Sequence, residues 1–303
     1  MPLNEWSFLH LPDALERLVV QLENEPSLVE PNQLRQRLEA LDRLDSHLTC
    51  NYQGASGAES IQPELYPRAR AICVRLEAAN RELYEIIRSE IKSGSRADSL
   101  LRWVSLSSTI DDESNPANGM GYDYLDELIA GVLQFEEPNG VYSPRDSEMV
   151  FYQPTPARHI FSLIELTALT PTDVLVDLGS GMGHVPLLAS ICSDSHCVGI
   201  ELEATYVERA QQCAKGLNLN RVSFIQEDAR LADLSIGTIF YLYTPFTGSI
   251  LKTVLGRLKR EAASRRIRIC SYGPCTSVIA GEPWLHAASA SQAHRIALFT
   301  SRD

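Results

Sequence analysis

One short stretch, VLVDLGSGMGHVPLLA at residues 174–189, constrains the fold more than any other part of this 303-residue chain. It runs from a β-branched apolar segment through an acidic residue and three glycines into a second apolar segment. Glycines permit a tight turn and close approach of a ligand, and the helix that follows presents free backbone N–H groups. The stretch therefore predicts a strand, a ligand-binding turn and a helix, which together open a parallel βαβ unit.

The chain after residue 140 repeats this alternation of short β-branched runs and helical patterns. We predict parallel strands at residues 174–177, 197–200, 222–225, 239–243 and 267–271. Two last runs, near residues 284–288 and 295–300, are too close together for a crossover helix and predict an antiparallel hairpin. The expected fold class is α/β, a Rossmann-like seven-stranded sheet.

The chain before residue 140 has a different sequence pattern. Its apolar residues lie at helical spacing, and it contains no recognisable catalytic motif. The longest predicted helix carries its apolar face on Leu65, Ala69, Ile72, Leu76, Leu83 and Ile87. We therefore predict an all-α domain over residues 1–139 and a ligand-binding core over residues 140–303. The helical domain is expected to act as a lid or to bind the substrate.

Composition excludes several classes of function. The formal net charge of -12 repels phosphate backbones, which makes a nucleic-acid partner unlikely. Seven cysteines without a C-x-x-C pair fit neither a disulfide framework nor a metal site, and indicate thiols in a reducing compartment. No export signal and no long apolar run are apparent, so we expect a cytoplasmic protein without membrane contact. The oligomeric state stays open.

Acidic residues at three successive strand ends indicate which nucleotide the glycine turn binds. Asp177 would crowd a pyrophosphate with like charge, and His184 stands where the dinucleotide fingerprint needs its third glycine, so NAD is disfavoured. Asp177 suits a ligand that carries an ammonium group. Glu201, at the end of the second strand, suits the paired hydroxyls of a ribose, and Asp228 follows the third strand. An amino acid portion, a ribose and an amine-bearing base together describe S-adenosyl-L-methionine.

The segments VDLGSGMG, VGIE and QEDA resemble, in order and spacing, the first three motifs of the class I S-adenosylmethionine-dependent methyltransferases. The resemblance runs from about Thr155 to the carboxyl end. It implies one donor-binding set: Asp177 with the backbone of Gly179, Gly181 and Gly183 for the methionine portion, Glu201 for the ribose, and Asp228 with the Ala229 amide for the adenine.

A narrower resemblance is to the non-SET histone-lysine methyltransferases, which share the DLGSG turn and the acidic end of the second strand. Their fourth-strand motif is rich in asparagine, whereas this chain reads FYLYTPFTG and departs from that pattern at Tyr243 and Thr244. The resemblance therefore concerns the shape of the core and leaves the methyl acceptor open.

The segment YTPF at residues 243–246 resembles the (D/N/S)-P-P-(Y/F) motif of amino-group methyltransferases, where a side chain and a backbone carbonyl accept hydrogen bonds from the target nitrogen. We accordingly predict that Tyr243 and Thr244 are catalytic residues that contact the acceptor. The alternative is that Pro245 ends the strand and Phe246 packs. Tyr272, at the end of the fifth strand, either forms a cage with Tyr243 for a cationic or aromatic acceptor or is an ordinary rim residue.

The segment FYQPTP precedes the first strand of the core and is separated from it by a predicted helix. Thr155 followed by Pro156 predicts a helix with Thr155 at its N-cap. In class I enzymes the segment entering this helix often covers the methionine end of the donor, so Tyr152 and Thr155 are candidate donor contacts; the alternative is a purely structural cap. His184 either faces the donor or is an ordinary helix residue, and Cys275 is interpreted as a buried thiol.

These features together predict a methyltransferase that uses S-adenosyl-L-methionine. The predicted acceptor is a protein side chain or a small metabolite, with nitrogen slightly favoured as the accepting atom. The alternative is a non-catalytic, S-adenosylmethionine-binding adaptor that acts through its helical domain.

Overall fold

The computed structural model describes residues 11–53, 64–94, 98–108, 122–135, 147–288 and 292–302. The described residues group into two compact units, and the division falls between Ile86 and Ile87. The predicted domain boundary between residues 139 and 140 lies outside the described residues.

The first unit is helical, as predicted. It contains α1 (Leu11–Glu23), two short 3-10 helices (Pro26–Val29 and Pro31–Gln33), α2 (Leu34–Gln53) and the first part of α3 (Leu65–Lys92). Its core is built from leucine-rich helix faces, which include Leu15, Leu44 and Leu76. The prediction of a helical structure for this part of the chain is therefore confirmed.

Arg37 is a fully buried cation in the core of this first unit. Its guanidinium donates hydrogen bonds to Asn80 Oδ1 at 2.6 Å, to the Leu28 carbonyl at 2.9 Å and to the Glu30 carbonyl at 2.6 Å. Burial lowers the pKa of Arg37. The side chain thus joins α2 to α3 and to the two 3-10 helices.

The second unit contains the sheet and the remaining helices. The helices are α4 (Asp98–Ser108), α5 (Tyr124–Leu133), α6 (Ala157–Thr167), α7 (His184–Cys192), α8 (Ala204–Gly216), α9 (Gly248–Ala262) and α10 (Cys275–Ala280). The strands are β1 (Val174–Leu178), β2 (His196–Glu201), β3 (Val222–Gln226), β4 (Ile239–Tyr243), β5 (Arg268–Tyr272), β6 (Leu285–Ala287) and β7 (Ala297–Ser301).

The seven strands lie in the order β3-β2-β1-β4-β5-β7-β6. The pairs among β1 to β5 are parallel, and β7 is antiparallel to both β5 and β6. This sheet confirms the predicted Rossmann-like fold class, including the antiparallel strands at its end. Because the chain leaves β1 toward β2 and returns to β4 on the other side, a crevice opens at the carboxyl ends of these strands.

The grouping of contacts assigns α4 and α5 to the same compact unit as the sheet. The predicted division into residues 1–139 and 140–303 therefore differs from this grouping, and it stays a prediction about independently folding domains. Within the described ranges, the helices lack the combination of length and apolar character that a membrane crossing requires.

Candidate functional site

A cavity of about 480 Å³ lies at the carboxyl ends of β1 to β5. Three groups of residues line it: the ends of β1, β2 and β3, the ends of β4 and β5, and the segment at residues 149–155 that precedes α6. Of the residues predicted to form the site, the cavity brings together Tyr152, Thr155, Asp177, Gly179, Glu201, Asp228, Ala229, Tyr243 and Thr244. Gly181 and Gly183 do not line it.

The glycine turn after β1 has the left-handed backbone that the sequence predicts. Gly179, Gly181 and Gly183 have φ values of +85°, +53° and +83°, a region that glycine adopts without steric cost. Their amides are already engaged: Gly179 donates to the Ile200 carbonyl at 2.8 Å, Gly181 to Glu201 Oε2 at 2.8 Å and Gly183 to the Ser180 carbonyl at 2.8 Å. Backbone binding of the methionine portion by these three glycines stays a prediction.

Close packing above the turn explains why these positions need glycine. A Cβ on Gly179 would lie 2.4 Å from the Cβ of Pro245, and a Cβ on Gly181 would lie 2.0 Å from the ring of Tyr152. Gly183 meets the ring of Phe224 in the same way, at 2.5 Å. The turn is thus covered on one side by the segment at residues 149–155 and on another by the loop after β4.

Asp177, near the end of β1, is the most buried carboxylate of the cavity, with 4% of its surface exposed. Burial, and after it the nearby charge of Glu201, raise the pKa of Asp177 well above its usual range. No hydrogen bond to its carboxylate occurs within the part of the chain that the structure describes. A buried carboxylate in this state favours a ligand that brings a positive charge.

The two other predicted carboxylates have partners within the protein. Glu201 accepts hydrogen bonds from the amides of Leu202 at 2.7 Å and Glu203 at 2.9 Å, in addition to the amide of Gly181. Asp228 is paired with the guanidinium of Arg230 at 2.6 Å, which lowers the pKa of Asp228. Both carboxylates are therefore held in place by their partners and still border the cavity.

The segment at residues 149–155 is fixed to the loop after β4. Met149 forms an isolated antiparallel bridge with Phe246, and the Val150 amide donates to the Pro245 carbonyl at 3.1 Å. The Glu148 carboxylate accepts hydrogen bonds from the Ser249 and Ile250 amides at the start of α9. These contacts place the segment across the carboxyl ends of the strands.

The prediction that Thr155 caps the next helix is wrong, because α6 begins at Ala157 with Pro156 in the N-cap position. The first amide of α6, that of Ala157, donates instead to Asp126 Oδ1 at 2.8 Å. Asp126 belongs to the capping box of α5, which it forms with Asp123. Since α5 supplies the cap, the Thr155 hydroxyl is available for another contact, and it lies 3.0 Å from the hydroxyl of Tyr241.

Tyr152 and His184 form a pair beside the glycine turn. The Tyr152 hydroxyl lies 3.2 Å from His184 Nδ1, and the centroids of the His184 and Phe135 rings lie 4.7 Å apart with the rings tilted by 52°. Burial lowers the pKa of His184 to about 4, so the imidazole is neutral at physiological pH. His184 also lines the cavity, and a contact between His184 and the donor stays a prediction.

Thr244, after β4, has a strained backbone with φ of +38° and precedes a proline. A β-branched residue rarely adopts this conformation, and a following proline disfavours helical ψ values further. Two hydrogen bonds hold it: the Thr244 hydroxyl donates to the Tyr272 carbonyl at 3.2 Å and accepts from the Cys275 amide at 3.1 Å. The hydroxyl of Thr244 is therefore engaged in joining the ends of β4 and β5.

Tyr243 borders the cavity with its side chain half-buried. Its ring stacks at 4.7 Å on Tyr272, which in turn stacks at 4.3 Å on His159. Tyr272 is only 1% exposed and does not line the cavity, so a cage made by both tyrosines is not formed. Cys275 is 2% exposed and burial raises its pKa, which fits its interpretation as a buried thiol.

Comparison with known families agrees with this geometry. The family model described as "Histone methylation protein DOT1" matches residues 145–228, which contain the glycine turn and all three acidic strand ends. The chain contains a class I S-adenosylmethionine-dependent methyltransferase core. S-adenosyl-L-methionine is accordingly its cofactor, and the cavity is where the core would hold it.

Solved structures similar to this methyltransferase core cover about half of the chain. An RNA methyltransferase from Salinibacter ruber in complex with S-adenosyl-L-homocysteine is 25% identical, covers 49% of this chain and 92% of its own, and has a TM-score of 0.41. A precorrin-6y C5,15-methyltransferase from Geobacter metallireducens is 16% identical, with 52% and 95% covered and a TM-score of 0.40. A putative S-adenosyl-L-methionine-dependent methyltransferase from Methanococcus maripaludis is 12% identical, with 47% and 83% covered and a TM-score of 0.39. Among curated proteins, none matches the chain.

The residues of the cavity fit this cofactor. Asp177 is a buried carboxylate of the kind that a ligand with an ammonium group requires, and the close packing over Gly179 leaves no room for a side chain in the turn. Ser180 and Tyr241 are among the cavity residues that sequence reasoning missed. Ser180 has a buried hydroxyl without a hydrogen-bond partner among the described residues, and Tyr241 places its hydroxyl beside Thr155. Ser180 stands between two glycines of the GSGMG turn, which could have identified it, whereas Tyr241 had no distinctive motif position.

Proposed function

We propose that the protein transfers a methyl group from S-adenosyl-L-methionine to a nitrogen atom of a protein side chain or a small metabolite. Asp177 carries the proposal, because a buried carboxylate without a hydrogen-bonding partner in the described residues stands beside the glycine turn of a methyltransferase core. The donor brings both the ammonium that this carboxylate requires and, on its sulfonium, the methyl group to be transferred.

The proposed donor contacts divide among the strand ends. Asp177 binds the ammonium, Glu201 accepts from the ribose hydroxyls and Asp228 faces the adenine with the Ala229 amide. Tyr152 and Thr155 cover the methionine portion from the segment before α6. Support for this arrangement comes from the cavity, which these residues line together at the carboxyl edge of the sheet.

The proposed acceptor contacts lie at the end of β4. Methyl transfer is an in-line displacement, so the protein must chiefly hold the acceptor in line with the sulfonium and exclude water. Tyr243 borders the cavity, and the two hydrogen bonds of Thr244 fix the strained backbone beside it. The preference for nitrogen rests on the resemblance of YTPF to the motif of amino-group methyltransferases. The name of the matched family, which concerns histone methylation, is consistent with this preference.

The helical part of the chain is proposed to help form the acceptor site. Within the second unit, the amino-terminal start of α5 contacts the segment at residues 149–155 and the helix after it, because the Tyr122 hydroxyl donates to the Pro154 carbonyl at 2.9 Å and Asp126 caps α6. These contacts support a positioning role for α5. The role of the first unit as a lid stays a prediction.

Two measurements test this function. Calorimetry should show binding of S-adenosyl-L-methionine and no binding of NAD, and Glu201→Gln should weaken donor binding by about 1–3 kcal/mol, since the ribose hydroxyls lose a charged acceptor. Incubation of the purified protein with cell lysate and isotopically labelled donor should then yield a labelled species by mass spectrometry, together with S-adenosylhomocysteine. Donor binding without any labelled product would favour the adaptor instead.

A further inference from the structure

Two buried hydroxyls meet at the floor of the cavity. The Tyr241 hydroxyl and Thr155 Oγ1 lie 3.0 Å apart, and the two residues are 1% and 7% exposed. Both residues line the cavity. Tyr241 comes from β4 and Thr155 from the segment before α6, so the pair joins two separate parts of the site.

A count of protons shows that this pair has one hydrogen to offer. Each hydroxyl has one proton and can accept further hydrogen bonds. The contact between Tyr241 and Thr155 uses one of the two protons, and in the described part of the chain the second has no acceptor. A buried donor left without an acceptor is costly, so a ligand atom that accepts a hydrogen bond is favoured at this position.

Asp177 lies next to this pair and has the opposite requirement. In the parallel ladder Asp177 is the register partner of Tyr241, so the two side chains leave neighbouring strands on the same face of the sheet. The Asp177 carboxylate needs a hydrogen-bond donor, whereas the hydroxyl pair needs an acceptor. No hydrogen bond joins these groups within the described residues, so the cavity presents an unsatisfied acceptor and an unsatisfied donor on adjacent strands.

We propose, resting on the proposed function, that Tyr241 is a donor-positioning residue: with Thr155 it donates its spare hydrogen bond to the carboxylate of the methionine portion, while Asp177 binds the ammonium. The ammonium and the carboxylate of an amino acid are bonded to one carbon atom, so the groups that bind them must be neighbours. Asp177 and Tyr241 meet this condition through their register. The pair thereby fixes the direction in which the sulfonium points.

The Tyr241 phenol is suited to donate and unsuited to act as a base. Burial, with a further contribution from the nearby Asp177 charge, raises its pKa well above the ordinary value for tyrosine. The hydroxyl therefore keeps its proton throughout the physiological range. Its role is to orient the donor and to select a ligand that carries a carboxylate.

The experiment compares S-adenosyl-L-methionine with its decarboxylated form, which keeps the sulfonium and the ammonium and lacks only the carboxylate. Calorimetry of the full chain would measure both ligands against wild type, Tyr241→Phe and Thr155→Val, two substitutions that remove a hydroxyl and keep the shape. Tyr241→Phe should weaken S-adenosyl-L-methionine roughly 10- to 100-fold and leave the decarboxylated form within about twofold. Thr155→Val should weaken S-adenosyl-L-methionine less, because the Tyr241 hydroxyl keeps its proton and can still donate it to the ligand. Tyr272→Phe is the matched control, because Tyr272 is equally buried and does not line the cavity.

Each outcome decides the assignment. Selective loss of the carboxylate-bearing ligand in Tyr241→Phe, with a smaller loss in Thr155→Val, supports it. Equal loss of both ligands would show that the pair only shapes the cavity, and unchanged binding of both would show that it has no ligand; either result overturns the inference. A wild-type protein that binds neither ligand would overturn the proposed donor itself, which separates failure of the function from failure of the role of Tyr241.

Discussion

The two halves of the cavity differ in the chemistry of their strand ends. The half formed by β1, β2 and β3 presents carboxylates, namely Asp177, Glu201 and Asp228, whereas the half formed by β4 and β5 presents neutral hydroxyls and rings, namely Tyr241, Tyr243 and Thr244. A carboxylate at a strand end requires a partner of definite charge, so its role can be inferred from its position. The role of a neutral hydroxyl depends on the groups that the fold places next to it.

Beyond the pairing of β1 with β4, the two halves pack closely where Gly179 of the glycine turn meets Pro245 after β4. A Cβ on Gly179 would lie 2.4 Å from that of Pro245, and the φ of +85° is a left-handed conformation. We expect Gly179→Ala to lower the free energy of unfolding by about 2–5 kcal/mol, since the left-handed backbone costs about 1–2 and overpacking about 1–3 kcal/mol. Urea unfolding would measure the change, and methyl transfer should fall with it.

Gly256→Ala is the matched control for this first prediction. Gly256 lies within α9, where a Cβ would meet no atom within 4 Å. There the same substitution should raise the free energy of unfolding by about 1 kcal/mol, because alanine is the better helix former. A Gly179→Ala protein as stable as the Gly256→Ala protein would contradict the contact between the two halves.

The next largest effect concerns the charged half. Asp177→Asn should weaken donor binding roughly 10- to 100-fold, because the ammonium loses its charged acceptor. Calorimetry would measure this affinity, with Asp173→Asn as a control: Asp173 is another carboxylate of the second unit, and it pairs with Arg268 away from the cavity lining. Unchanged affinity in Asp177→Asn would contradict the assignment of the ammonium site.

The pH dependence of donor binding sharpens the same prediction. Burial and Glu201 raise the pKa of Asp177 in the free protein, and a bound ammonium requires the ionised carboxylate. Affinity should therefore be highest above this raised pKa and should decrease as the pH falls through it, because binding must then release a proton. Titrations in buffers of different ionisation enthalpy would detect that proton. An identical acid limb in Asp177→Asn would assign the dependence to another group.

The contrast between the halves also explains how far the sequence could be interpreted. The predicted strands agree with the observed ones to within about one residue for β1 to β5, because alternating apolar runs and turn residues are local signals. The three carboxylates line the cavity as predicted for the same reason. The cap of α6 was predicted wrongly because Asp126, which supplies it, precedes Ala157 by 31 residues. Tyr241 was missed because its sequence position is that of an ordinary aromatic residue in a buried strand. Only its contact with Thr155 indicates a role in the site.

The smallest expected effect on donor affinity belongs to the neutral half, and it tests whether that half serves the acceptor. Thr244→Val removes the hydroxyl that holds the ends of β4 and β5, which leaves the buried Cys275 amide without its acceptor and frees the strained backbone beside Tyr243. Thr244→Ser keeps both hydrogen bonds and is the matched control.

If this backbone positions the acceptor, Thr244→Val and Tyr243→Phe should lower the rate of methyl transfer while donor affinity stays within about twofold, since transition-state positioning and donor binding are separable. Single-turnover assays and donor calorimetry on the same preparations would measure the two quantities. Full transfer activity in both variants would show that YTPF ends the strand and packs, and that the acceptor binds elsewhere in the cavity.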